Sequence, residues 1–367
     1  MRRLVRSLFF CFGLLLLLVA VEVALGWRCT LQGQIPNPTS QPGTRKAAVS
    51  DIKGYSRPEG DAYLSLPEWY IVWSYQEKAD FQQSNLPSGF PYFGAVRQYW
   101  TSYCCVSRLI KGKYGSNLGE QVMLVVIGTS FSAEYILKGL YEKTIGRFSE
   151  WTSNHQFTGE DRYAYRVAKE YADFVQVRPF YEFRFAHQLK GLWAENSLWG
   201  AHPARKWERR AFLTIDYAVE AFYCWLIEEG THLTYGYEPS DTYAWVENVS
   251  DAVPPQVAGA RVVKNLGPQD YILELPRYQE FTAVASIISQ RGVRFVEIAG
   301  NSQITVSVLA PKTWRIDGLG VQALFSMPIL TRPDVYRVVL RSDVTTLGQA
   351  LIALALSGAL VEHVYDY

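Results

Sequence analysis

Cysteine is scarce in this chain: Cys11, Cys29, Cys104, Cys105 and Cys224 are the five in 367 residues. So few, so widely scattered, exclude the dense disulfide framework of a small secreted domain. Cys11 falls in an apolar run, and adjacent Cys104 and Cys105 point in different directions from any regular element, so all five read as small buried hydrophobes. Net charge is lacking too. Lys and Arg number 36 against 35 Asp and Glu, a balance of +1, without the basic field a nucleic-acid partner needs. Also absent are Gly-x-Ser-x-Gly, a Walker loop and a dinucleotide fingerprint. The five histidines, His155, His187, His202, His232 and His363, are widely spread. Glu229-Gly-Thr-His232 has the spacing of a di-iron ligand pair, but such sites need two pairs, and Gly230 breaks the helix it requires. No metal site, cofactor or catalytic constellation is expected, and the chain leans away from being an enzyme.

What is plentiful is apolar and aromatic surface: 49% hydrophobic residues, 14% aromatic, with 24 Tyr and 11 Trp. At the N-terminus Arg2, Arg3 and Arg6 precede an apolar run from Leu8 to Val21; Glu22 then interrupts it, and the segment closes at Trp27. Positive charge before a greasy segment sends the rest of a chain towards or across a membrane. Ala24-Leu25-Gly26 suits a signal peptidase, whereas the length through Trp27 reaches the roughly 20 residues that span a bilayer. Length favours a retained anchor over residues 1–27, with Glu22 at the outer interface and the bulk of the protein on the non-cytoplasmic side. The expected location is the membrane.

Residues 28–61 are rich in Pro, Gly, Ser and Thr and read as a flexible tether. Residues 62–229 read as a helical, aromatic-rich region. Its helices open at Pro67, run from Phe93 to Leu109, and include two strongly apolar stretches, 119–144 and 207–229. Residues 230–270, with Val253-Pro-Pro and Leu266-Gly-Pro, read as a linker. From 271 to 367 the order strand, helix, glycine, strand occurs twice: Tyr271–Leu275, Gln279–Gln290, Gly292 and Val293–Ile298, then Tyr336–Leu340, Leu347–Leu356, Gly358 and Leu360–Tyr365. Two further strands, Ile304–Leu309 and Leu324–Ile329, lie between. Ala283, Ile287, Leu351 and Leu354 are the expected helix residues facing the sheet.

This layout, ending in Gly358-Ala-Leu-Val-Glu-His-Val-Tyr-Asp-Tyr, resembles a ferredoxin-like module of the ACT type over roughly the last hundred residues, although the strand pair around Leu324 is additional. The resemblance implies an α+β chain whose last part is one antiparallel sheet with helices on one face. It also implies edge-to-edge pairing of modules and small ligands at their interface. Residues from about 267 onward are then expected to close a core by themselves, with the open sheet face free for self-association or a protein partner.

The candidate functional residues are acidic residues inside apolar helices. Glu134 lies in the first apolar stretch; Asp216 and Glu220 lie four apart, on one face, in the second. In a membrane such carboxylates face a partner or a polar cavity and are functional by default. In a soluble bundle, Ser130, Glu134 and Lys138 form one local stripe, while Asp216 and Glu220 pair with Arg209 or the arginines of 162–184. Trp193 and Trp199 are candidates for lining an apolar groove. Two functional expectations follow. One is a membrane-tethered envelope protein binding a protein partner or small apolar ligand. The alternative is a membrane-embedded enzyme or transporter component using the buried carboxylates, with three spans near 8–27, 120–140 and 211–227.

Overall fold

The computed structural model describes residues 2–35, 43–115, 117–234, 240–249, 259–316 and 320–366. Its helices in chain order are α1 (Arg2–Gly26), α2 (Gly43–Val49), α3 (Glu59–Gln82), α4 (Tyr92–Ile110), α5 (Leu118–Tyr141), α6 (Arg147–Thr152), α7 (Gly159–Phe174), α8 (Phe185–Glu195), α9 (Pro203–Thr234), α10 (Tyr278–Gln290) and α11 (Leu347–Leu356). Its strands are β1 (Asp241–Glu247), β2 (Arg261–Gly267), β3 (Asp270–Pro276), β4 (Arg294–Ile298), β5 (Gln303–Pro311), β6 (Val321–Ile329), β7 (Arg332–Asp343) and β8 (Leu360–Val364). The α+β class is as expected. Two compact units divide the chain: Met1–Trp27, Trp69–Trp100 and Val126–Glu238 form the first; Arg28–Glu68, Thr101–Val125 and Pro239–Tyr367 form the second.

The first unit is helical. Tyr99 of α4 fits against α5 at Gly128, where a Cβ would lie 2.1 Å from the tyrosine ring. Between α5 and α6 the helix widens into one π-turn, Glu142–Gly146. A capping box between Thr158 and Asp161 starts α7 by satisfying its first backbone donors. Helix α1 belongs to this unit. Its Glu22, expected at a membrane interface, is buried instead and accepts from Arg97 Nε at 2.5 Å and Nη2 at 3.2 Å. Gly26 lets the backbones close up, because a Cβ there would meet the Arg97 carbonyl oxygen at 2.6 Å.

Much apolar surface of this unit stays exposed. Leu17 and Val21 on α1, Val126, Leu137 and Leu140 on α5, and Ile215, Val219, Phe222 and Trp225 on α9 are each at least 40% exposed. Counting α5, the π-turn and α6 together, Leu118–Thr152 is long and apolar enough to cross a membrane. The apolar part of α1, Phe12–Gly26, is shorter than that measure. Helix α3 starts at Glu59, not Pro67; the proline sits inside it, where only one backbone bond is forfeited.

In the second unit, sequence expectation and structure part company over the sheet. There are two four-stranded sheets rather than one, ordered β2-β3-β1-β4 and β6-β7-β5-β8. The recurrence covers five elements, strand-strand-strand-helix-strand, laid out identically twice. Its irregularities recur as well. A bulge between Trp245 and Val246 on β1 is matched between Ser307 and Val308 on β5, and one between Val262 and Lys264 on β2 between Ala323 and Phe325 on β6. Gly292 and Gly358 both follow their helices with φ of 82°, the left-handed stop expected of them. By register Glu297 corresponds to His363, since they oppose Trp245 and Ser307 next to the matched bulges.

Both helices and both sheets share one core, with Phe281, Val284, Ile288, Leu351 and Leu354 packed on Val246, Leu273, Val306 and Leu340. Ala283 and Ile287 are exposed, because the buried face of α10 is set one residue later. The segment 230–270, expected as a linker, supplies β1 and β2. Since β1 lies between β3 and β4, a piece starting at 267 lacks the strand that joins them. Nor is 28–61 a free tether where it is described. Gln32 donates from its backbone to the Leu324 carbonyl on β6, and Val49, Ile52 and Tyr55 pack on Tyr243, Trp245 and Ile272, a face expected to be open. Cys29 and Cys105 form a disulfide, whereas Cys104 and Cys224 are free and buried.

His363 is fully buried on β8, its Nδ1 2.9 Å from Gln279 Oε1 and 3.3 Å from the Thr282 hydroxyl. Burial holds its ring well below the ordinary histidine range, so it folds neutral. The unfolded chain binds the proton that the folded one refuses. Stability from this group is therefore complete above about pH 6.5 and falls as pH drops, by up to about 1.4 kcal/mol per pH unit. Chemical denaturation between pH 7.5 and 5 should show that slope, and His363→Gln should remove it; an unchanged slope in the variant contradicts the assignment.

Candidate functional site

Helices α3, α5 and α9 of the first unit bring polar groups to one interior point. Lys138, one turn after Glu134 on α5, places its ammonium 2.8 Å from Glu134, 2.9 Å from Asp216 and 3.1 Å from Glu220. The i, i+4 spacings on α5 and α9 put each helix's contributors on one face, so all three carboxylates meet a single cation. Tyr75 of α3 donates its hydroxyl to the second Glu134 oxygen at 2.7 Å. The three predicted carboxylates are thus brought together, around a lysine that the sequence suggested only as a local partner. Arg209 is not their partner. It pairs with Glu142 at 2.8 Å and Glu208 at 3.2 Å.

A cavity of about 70 Å³ adjoins this cluster, lined among others by Lys78, Tyr92, Lys138, Glu142, Asp216 and Tyr217. A volume of that size accommodates a few waters or an ion with part of its hydration. Several lining groups are unspent. Glu142, 2% exposed, has one oxygen without a hydrogen-bond partner. Tyr92 and Tyr217 are 2% and 4% exposed, and their hydroxyls make no hydrogen bond among the described residues. The Lys78 ammonium has no ion pair there either; it lies 5.6 Å from the centre of the Tyr75 ring and 5.7 Å from that of Tyr135. Burial, reinforced by nearby Lys138, lowers the Lys78 amine below its ordinary value. Lys78, Tyr92, Glu142 and Tyr217 were not legible as site residues. Each is an ordinary polar residue in an amphipathic helix until the fold faces it inward.

A second buried charge network lies at the start of α9. Arg205 meets Asp161 at 2.6 Å, Glu208 at 3.1 Å and the Ser149 hydroxyl at 2.7 Å. Lys206 and Arg210 share Glu160 at 3.0 and 2.5 Å. These partners are consumed in holding α6, α7 and α9 together.

Trp193 and Trp199 do not reach the carboxylates. They flank Trp207 at ring-centre distances of 6.3 and 6.2 Å, with Arg210 over Trp193 and Trp207, and Trp193 donates to Thr214 at 3.0 Å. Trp199 is 74% exposed. Among the described residues no group of three or more His, Cys, Asp and Glu is arranged to hold a metal ion. Comparison with family models, curated proteins and solved structures finds no match for this chain.

Proposed function

We propose that the first unit is embedded in a membrane and serves as a transporter or enzyme component, with Lys138 and its three carboxylates as the working site. The observation that carries this is the convergence of Glu134, Asp216 and Glu220 on one lysine beside a small cavity. Ionisable groups gathered in the interior of a helical unit with exposed apolar faces are costly in a membrane, and their usual use there is to move or bind charge. The exposed apolar faces of α1, α5 and α9 support lipid contact, on the three-span arrangement. The arginines at the start of α1 and the Cys29–Cys105 disulfide beyond it, which suits an oxidising compartment, support a non-cytoplasmic side for the residues that follow α1. The cavity is far smaller than the roughly 300–1,000 Å³ of an apolar ligand pocket. An envelope-protein role with a partner or apolar ligand draws its support instead from the exposed Trp193, Trp199 and Trp207 group.

Carbodiimide labelling tests the membrane reading. In native membranes, dicyclohexylcarbodiimide should modify at least one of Glu134, Asp216 and Glu220, as read by peptide mass spectrometry. A water-soluble carbodiimide should spare all three. Equal labelling by both reagents, or release of the protein by a carbonate wash, removes the membrane-embedded site.

A further inference from the structure

The charges around the cavity do not balance. With every carboxylate ionised, Glu134, Asp216 and Glu220 contribute three negative charges, Lys138 and Lys78 two positive ones, while Glu142 and Arg209 cancel each other. On that count one negative charge is left over along the cavity wall.

From this count and the unspent oxygens, we infer that the cavity binds one small monovalent metal cation, of alkali-metal size, between the carboxylate cluster and the partnerless oxygen of Glu142. The inference rests on the proposed working site and names what that site takes. Carboxylate and phenol oxygens are hard donors suited to hard cations. Glu142 offers an orphaned oxygen, Tyr92 and Tyr217 offer hydroxyls, and the remaining volume leaves room for one or two waters to complete the shell. A divalent ion would overshoot the single missing charge. A bulky organic cation exceeds the space.

The full chain, purified in lipid nanodiscs, should unfold at a higher temperature in sodium, potassium or lithium chloride than in N-methylglucamine chloride at equal ionic strength. The rise should saturate with concentration, as binding to the native state requires, and the same cation should protect the site from dicyclohexylcarbodiimide. Glu142→Gln should abolish the cation-specific rise. Lys78→Gln supplies the sharper readout, because removing a competing positive charge should tighten half-saturation by on the order of tenfold. A variant that merely loosens the fold would bind more weakly. Equal midpoints in all four salts overturn the cation site, as does a site that responds to pH alone or weaker cation binding in Lys78→Gln. None of these outcomes touches the membrane-embedded reading, which stands or falls on the difference between the two carbodiimides and on the carbonate wash.

Discussion

Arg205→Met should lower the stability of the first unit by about 3–5 kcal/mol, because removing one partner of a buried pair leaves the other charge uncompensated. The Arg205 side chain is fully buried, Asp161 is 1% exposed and Glu208 12% exposed. Arg205 also donates to the Gly146 carbonyl at 3.2 Å and to the Ser149 hydroxyl at 2.7 Å, so several acceptors lose a donor at once. Adding Asp161→Asn to Arg205→Met should recover part of the loss, since neutralising the stranded carboxylate removes much of the penalty. Guanidinium unfolding of the two single variants and the double variant measures the coupling. Strictly additive losses would mean that the pair is not energetically linked.

The second large effect is expected at Cys29–Cys105. The bridge closes a loop of 76 residues in sequence, and on the chain-entropy account a loop that long stabilises by about 4 kcal/mol. Cys29→Ser, Cys105→Ser and addition of a reductant should therefore lower the unfolding midpoint alike, and the reductant should do nothing further to either variant. Alkylation without reductant should leave Cys29 and Cys105 unmodified while denatured Cys104 and Cys224 react. Recovery of Cys29 as a free thiol from natively expressed protein would rule the bridge out. Neighbouring Cys104 and Cys105 do diverge, as expected for adjacent helix positions. Which of them finds a partner depends on the path of residues 28–35, and spacing carries no information about that.

The second half of each C-terminal repeat was legible because β3, α10 and β4, like β7, α11 and β8, carry apolar periodicity ended by a glycine with positive φ. The first half of the first repeat was not. Strand β2 is an exposed edge with Arg261, Lys264 and Asn265 in it, and the prolines at 254 and 255 suggest a linker. Without β1 and β2 the repeat is seen as one sheet instead of two. The carboxylates Glu134, Asp216 and Glu220 stood out as charges in apolar helices, and they do converge. Their common partner did not stand out, because a lysine four residues from a glutamate is explained locally. Lys78 and Glu142 matter only through tertiary placement.

The widened turn Glu142–Gly146 sets the phase of everything after it. A π-turn inserts about one residue relative to a regular helix, and each residue turns an α-helix by about 100°. Glu142 can consequently line the cavity while Ser149 bonds Glu208 at 2.6 Å and Glu150 accepts from the Ser88 hydroxyl at 2.6 Å. The two polar centres of the unit are thus geared together along one continuous helix. Single-residue insertions or deletions between 138 and 149 should accordingly be tolerated far less than substitutions, since a slip of one position turns one centre away from its partners while leaving the other in place.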